Sequence, residues 1–243
     1  MQLNVIIESA DGREGRQVRF DRVLNLGSAL RDDERAAQHR AEMREIGIEI
    51  ASDVPAPRIY PLGDWAVTTG ERITVQGERT SGEVEPVVLV EDGELYVGLG
   101  SDHTDRELET AGIPWSKQAC PNVLAPVLWP YEEVRDRWDA AVLRSWADGE
   151  LYQEVEAGAF LKPEDMVRIV GERVELPSER TLIFGGTYVS VGAEVRYAAR
   201  WDLELALPDG PAIRHRYEVD NVLQEIKEPW RVPLTSSRWQ ALR

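Results

Sequence analysis

The chain has 243 residues and a formal net charge of −16 at neutral pH, with no basic stripe anywhere along it. That balance argues against partners such as nucleic acid or an anionic membrane, because phosphate affinity comes from clustered Lys and Arg. A single cysteine, Cys120, excludes an internal disulfide and fits a reducing compartment.

The N-terminus, MQLNVIIESADGRE, lacks a basic start followed by a long apolar stretch, so no signal peptide is expected. No apolar run approaches the ~20 residues of a membrane span, and the expectation is a soluble, cytoplasmic protein. Residues 3–8 and 17–24 read as strands around the turn signal Asp11-Gly12. The stretch RDDERAAQHRAEMREIGI then predicts a charged surface helix ended by Gly47. Residues 51–63, with Pro55, Pro57 and Pro61, predict a connector, and residues 64–109 predict short strands. From Trp115 to Trp129 the chain is Pro-rich and reads as irregular. A helical turn is expected at Tyr131 to Trp138, and residues 139–147 suit strand or helix. Asp148-Gly149 signals a hairpin leading into Glu150 to Ala157, and Lys162 to Gly171 predicts a short helix with Pro163 near its start. Strands are expected at Thr181 to Phe184, Ala193 to Leu207 and Ile213 to Ile226, the last two split by PDGP.

The most informative stretch is TSGEVEPVVLVEDGELYVGLGSDHTDRELE, Thr80 to Glu109. Asp92-Gly93 is a hairpin signal between two short apolar, β-rich runs. Side chains two apart on a strand share a face, so Glu83 and Glu85 point the same way. The hairpin then returns Asp102 toward them. Three converging carboxylates repel one another, and apolar strands around them hydrate them poorly, so a cation fits the cluster. All-oxygen ligation suits Mg²⁺, Mn²⁺ or Ca²⁺ rather than Zn²⁺. The plain alternative is a strand with a solvated acidic face.

Each of the three histidines can be weighed. His39 and Glu42, at i and i+3 of the predicted helix, suit an imidazole oriented by a carboxylate, or an ordinary solvated pair. His103 follows Asp102 directly, points the opposite way in an extended segment, and reads as structural; His215 receives no role. Lys117 by itself reads as a surface lysine and Cys120 as a packed thiol. Gly185-Gly186-Thr187 allows close backbone approach to a ligand, or forms a plain turn.

Taken in order, these residues resemble the fumarylacetoacetate hydrolase superfamily. Its H-x-x-E, E-x-E, N-D-x-[ST]-x-R-[DE], A-K-x-x-D and T-G-T elements have counterparts here. These are His39 and Glu42; Glu83 and Glu85; Asp102 with Thr104 and Arg106; Lys117 in SKQAC; and Thr187 in GGT. Trp146 to Gln153 resembles a further N-G-x-x-x-Q segment, so the similarity spans about residues 30–225. Ser101 stands where the family has Asn, Glu109 where it has Gln, and Gly185 where it has Thr. The sequence is therefore similar to a divergent bacterial branch marked by GSDHTDRELE.

The resemblance implies a mainly β (α+β) fold, a mixed-sheet β-roll with a small N-terminal lobe and a lid helix. It divides the chain at 1–60, 61–228 and 229–243. It implies Mg²⁺ or Mn²⁺ held by Glu83, Glu85 and Asp102, with Ca²⁺ as a further fit. His39 and Glu42 would activate water, Lys117 would stabilise oxyanion charge, and Arg106, Glu109 and Thr187 would lie on the substrate side. Arg106 is expected to support Asp102. The implied activity is metal-dependent cleavage of a carbon–carbon bond in a small 2-oxo acid or 1,3-dicarbonyl. A decarboxylase, lyase or hydratase, and a non-catalytic metabolite-binding protein, are the alternatives. A homodimer is the implied assembly.

Overall fold

The computed structural model describes residues 1–32, 54–175, 179–188, 190–192 and 194–232. The predicted charged helix, with His39 and Glu42, lies outside the described residues.

The chain opens with the hairpin β1 (Gln2–Ser9) and β2 (Gly12–Arg19), then β3 (Arg22–Gly27). The single strand expected at 17–24 is therefore two. Phe20 is fully buried, and Asp21 donates its backbone N–H to the Arg180 carbonyl at 2.8 Å, which turns the chain away from β1. The stretch read as a connector contains β4 (Arg58–Leu62). Next come β5 (Val67–Thr68), β6 (Arg72–Val75), β7 (Thr80–Ser81), and the hairpin β8 (Val84–Glu91) and β9 (Glu94–Ser101). Asp92 and Gly93 take φ of +52° and +86°, as a tight hairpin turn requires. Then follow β10 (Thr104–Asp105), the one-turn helix α1 (Arg106–Glu109) and α2 (Ile113–Ala119).

The Pro-rich stretch read as irregular is the nine-residue strand β11 (Asn122–Pro130), one of the inner strands of its sheet. Its pairing with β9 shifts register between Leu124 and Leu128, and Pro126 falls inside that irregularity, where a missing N–H costs no ladder bond. The remaining elements follow the predicted order: α3 (Tyr131–Trp138), β12 (Val142–Ala147), β13 (Glu150–Glu156), α4 (Pro163–Arg173), β14 (Thr181–Phe184), β15 (Arg200–Ala206) and β16 (Ala212–Asn221).

Two larger sheets carry the fold. The nine-stranded sheet runs β2-β1-β11-β9-β8-β14-β3-β4, with β5 also paired to β11. Because β4 and β5 are only a few residues apart, the β4 edge is carried back toward β11 and the sheet curls into a roll. Its interior is apolar, with Val23, Val87, Leu89, Leu124, Leu128 and Phe184 among the buried side chains. The outer face packs Val84, Val88, Leu99 and Val123 against Trp201, Leu203 and Tyr217 of the second sheet, ordered β13-β12-β15-β16-β6. This is the mainly β mixed-sheet roll that the sequence implied. The expected division at residue 60 falls within β4, and β1 to β4 share their sheet with β8, β9, β11 and β14. Among the described residues no helix is long and apolar enough to cross a membrane.

Candidate metal centre

Strand alternation builds the site. Glu85, Val87 and Leu89 share one side of β8, so Glu85 faces the interior of the roll. On β9 the facing positions are Gly98 and Gly100. A Cβ at Gly100 would lie 2.6 Å from both the Phe184 ring and Val87 Cγ2, so this strand leaves its inner side to its neighbours. Glu85 pairs with Gly100, and one step outward Asp102 donates its N–H to the Glu83 carbonyl at 3.0 Å. One ligand oxygen from each of Glu83, Glu85 and Asp102 lies within 4.8 Å of the others. These side chains are 7%, 2% and 0% exposed, so the cluster is buried and not a solvated acidic face.

Further elements surround the three carboxylates. Asp105 caps α1, its Oδ1 accepting from the Glu107 and Leu108 N–H groups at 3.0 Å, which turns Arg106 inward. Arg106 donates to Glu83 Oε1 at 2.8 Å and to Glu109 Oε2 at 2.9 Å. It thus joins Glu83 to Glu109 instead of supporting Asp102 as expected. Lys117, on α2, is buried and not a surface lysine: its Nζ donates to Asp102 Oδ2 and lies 3.7 Å from Glu83 Oε2. After β14, the Gly186 N–H donates to Glu85 Oε2 at 3.1 Å. Gly186 has φ of +85°, and a Cβ there would meet the Leu26 carbonyl at 2.6 Å, so glycine is required.

Thr187 donates to the Val84 carbonyl at 3.3 Å and accepts from Gln153 Nε2 at 2.8 Å. Gln153 Oε1 in turn accepts from the Val84 N–H at 2.9 Å. Together Thr187 and Gln153 tie both backbone groups of Val84, between the two glutamates.

The electrostatics follow from burial. Burial, then the Asp102 charge, raises the Glu85 carboxyl well above its ordinary range. Burial also raises Asp102, while Lys117 pulls it back down. Burial works against the Lys117 ammonium, but Asp102, Glu83 and Glu85 outweigh it and hold its pKa above that of an ordinary lysine. Formally, Glu83, Glu85, Asp102 and Glu109 against Lys117 and Arg106 leave two negative charges in a buried space. Asp102 Oδ1 has no hydrogen-bond partner although it is buried. A hard divalent cation suits an all-oxygen donor set with an unpartnered carboxylate oxygen and that excess charge.

The neighbouring residues behave differently. His103 points away, its Nδ1 bonded to the Tyr217 hydroxyl and its Nε2 to Thr80 Oγ1, both at 3.0 Å. Tyr217 also meets Ser101 Oγ at 2.9 Å, and Ser101 Oγ accepts from the Glu83 N–H at 3.2 Å. Burial holds the His103 pKa down to about 3, so the ring is neutral and structural. His215 contacts the Gly70 carbonyl at 3.2 Å. Cys120 is buried, and burial raises its thiol to about 12.

Sequence reasoning missed Asn25, Tyr60 and Asn122, which also belong to this end of the roll. Tyr60 feels the charges of Lys117, Arg58, Glu109 and Asp102, while burial raises its phenol. The available signal was slight: Asn25 is a single polar residue inside the apolar run of β3.

Comparison with solved structures gives the class first: this is a fumarylacetoacetate hydrolase-like fold. The chain is similar to a fumarylpyruvate hydrolase from Pseudomonas aeruginosa, solved with Mn²⁺ and pyruvate, at 19% identity and a TM-score of 0.61, over 89% of this chain and 96% of that one. It is also similar to a fumarylacetoacetate hydrolase family protein from yeast, at 14% identity and a TM-score of 0.59, over 83% and 94% of the two chains. A 2-keto-3-deoxyarabinonate dehydratase matches at 16% identity and a TM-score of 0.57, over 86% and 76%. Residues 27–217 match the family described as a protein of unknown function, DUF2848, and the chain belongs to that family. No curated protein matches the sequence.

Proposed function

We propose that this protein is a metal-dependent enzyme that cleaves a carbon–carbon bond in a small 2-oxo acid or 1,3-dicarbonyl by hydrolysis. The observation that carries the reading is the buried triad Glu83, Glu85 and Asp102, with ligand atoms within 4.8 Å of one another and an unpartnered Asp102 oxygen. The Pseudomonas protein of the same fold, solved with Mn²⁺ and pyruvate, supports both the metal and the ligand class.

Bound by the triad, Mg²⁺ or Mn²⁺ supplies Lewis-acid stabilisation of the negative charge that develops as the bond breaks. The protein's own groups do the rest. Arg106 fixes Glu83, and the Gly186 N–H fixes Glu85, so two triad members are oriented before any ligand arrives. Lys117, already within the carboxylate cluster, offers an ammonium to an oxyanion, and Thr187, its hydroxyl donating to the Val84 carbonyl, positions the strand between the two glutamates on the substrate side. His39, oriented by Glu42, takes a proton from the attacking water. Glu109 acts through Arg106. The same reading takes the protein as a cytoplasmic homodimer, with Trp65 and Trp115, 66% and 63% exposed, as apolar surface for the contact.

A lyase or dehydratase is the second reading, favoured by the similarity to the deoxyarabinonate dehydratase. His39→Ala separates the two, since only hydrolysis needs an activated water.

Titration calorimetry of chelator-stripped protein with Mn²⁺ or Mg²⁺, alone and with oxalate or pyruvate, tests the main reading. Metal binding that tightens with the oxo acid and vanishes in Glu83→Ala is the expected result. Absence of binding in every condition would remove the catalytic assignment.

A further inference from the structure

The interior of the roll holds a second polar feature that the triad does not use. Asn25 of β3 and Asn122 of β11 meet across it, with Asn122 Nδ2 donating to Asn25 Oδ1 at 2.9 Å. The residues are 1% and 0% exposed, yet Asn25 Nδ2 and Asn122 Oδ1 have no partner. Two amides joined by one hydrogen bond leave one NH2 group and one carbonyl oxygen wholly unused, whichever way the joined pair is turned. Buried polar groups are rarely left in that state without a ligand or water to satisfy them.

Position connects the pair to the site. Val123 pairs with Ser101, and the next residue outward on the two strands is Asn122 on one and Asp102 on the other. Asn25 pairs with Tyr60 across the β3–β4 ladder, and Tyr60 responds to the charges of Lys117 and Asp102. Leu124 and Phe184, both apolar and buried, continue the interior beyond the amides. The pair therefore lies beside the carboxylate cluster, with Asn122 level with Asp102 and Asn25 level with Phe184 of the apolar core.

We infer that Asn25 and Asn122 form a hydroxyl subsite, which narrows the substrate class to a 2-oxo acid carrying a hydroxyl group along its chain. This rests on the oxo-acid reading above. A hydroxyl both donates and accepts, so it satisfies Asn25 Nδ2 and Asn122 Oδ1 together. A carboxylate or ketone oxygen only accepts and would face the Asn122 carbonyl with a lone pair. Water has the same chemistry as a hydroxyl, so the experiment must separate a substrate group from a buried solvent molecule.

Calorimetry on the Mn²⁺-loaded protein does this with matched pairs: pyruvate against hydroxypyruvate, and 2-oxobutyrate against 4-hydroxy-2-oxobutyrate. At least one hydroxylated acid should bind about tenfold or more tightly than its parent. In Asn25→Leu and Asn122→Leu that preference should shrink to within about twofold, below what one net hydrogen bond contributes, while the parent acids still bind. Equal binding of parent and hydroxylated acids by the wild type would overturn the subsite and leave the pair as a water site. It would also leave the oxo-acid reading standing. Failure of every acid to bind would overturn both. The wild-type comparison can overturn the subsite even where a leucine variant does not fold.

Discussion

Asp102 and His103 are consecutive residues, both fully buried, and the chain treats them in opposite ways. The His103 ring has partners on both nitrogens, in a network running through Tyr217 and Ser101 back to the Glu83 N–H. The Asp102 carboxylate faces other carboxylates and keeps one oxygen unpartnered. Period-two alternation puts the two side chains on opposite sides of one strand end. One side is closed and stabilises the fold. The other keeps a buried carboxylate oxygen without a hydrogen bond, which suits the divalent cation proposed above.

The contrast can be broken experimentally. Asp102→Asn keeps the shape and removes the charge. Its Mn²⁺ affinity should fall by more than the roughly 10- to 100-fold typical of losing an outer-shell partner, while the melting temperature of the metal-free protein holds or rises. Calorimetry and thermal melting read both halves. His103→Ala should do the reverse. It leaves Tyr217 and Thr80 short of a partner and opens a cavity, so urea denaturation should report a loss of about 3 kcal/mol, with metal affinity little changed in the fraction that folds.

The pH dependence sharpens the same comparison. The folded His103 pKa is about 3, below the ordinary value of about 6.5. Between those values the unfolded chain binds the extra proton, so stability is lost as pH falls through this window. The slope contributed is at most about 1.4 kcal/mol per pH unit. Glu85 and Asp102 act oppositely, because raised carboxyl pKa values make the folded state the better proton binder and its stability falls as pH rises above the ordinary carboxylate range. His103→Gln should flatten the acid limb of a stability–pH curve, and Asp102→Asn should flatten the limb above it. A smaller effect is expected for Gly186→Ala. Forcing a side chain at φ of +85° costs about 1–2 kcal/mol and shifts the N–H that holds Glu85, so metal affinity should weaken several-fold by the same calorimetry.

The sequence made the triad legible because strand periodicity and a two-residue turn are local. Glu83, Glu85 and the Asp92-Gly93 signal fix which carboxylates meet Asp102, once the hairpin is drawn. Lys117 was legible only through the family resemblance: nothing local in SKQA distinguishes a buried lysine from a solvated one, and its burial depends on where α2 docks. Asn25 and Asn122 lie on strands separated by most of the roll, so their meeting follows from topology alone. The Pro-rich strand β11 was misread because the irregularity that accommodates Pro126 is set by pairing with β9. Arg106 was assigned to Asp102 from family order, whereas the α1 turn directs it to Glu83 and Glu109.

The pairing of β3 with β14 has a consequence for how the protein is made. Thr181–Phe184 runs parallel to Arg22–Asn25, and β1 likewise waits for Val127 and Leu128 of β11. β1, paired with β2, and β3, paired with β4, therefore each keep a second edge open until β11 and β14 follow, whereas the β8–β9 hairpin can form as soon as it emerges. Such distant pairing slows folding and leaves early strand edges uncovered during synthesis. Gly186, two residues past β14, reaches Glu85 only when that late strand docks. Completion of the carboxylate site is thus tied to the synthesis of β14, and a nascent chain halted before residue 181 would carry the acidic residues without the Gly186 contact.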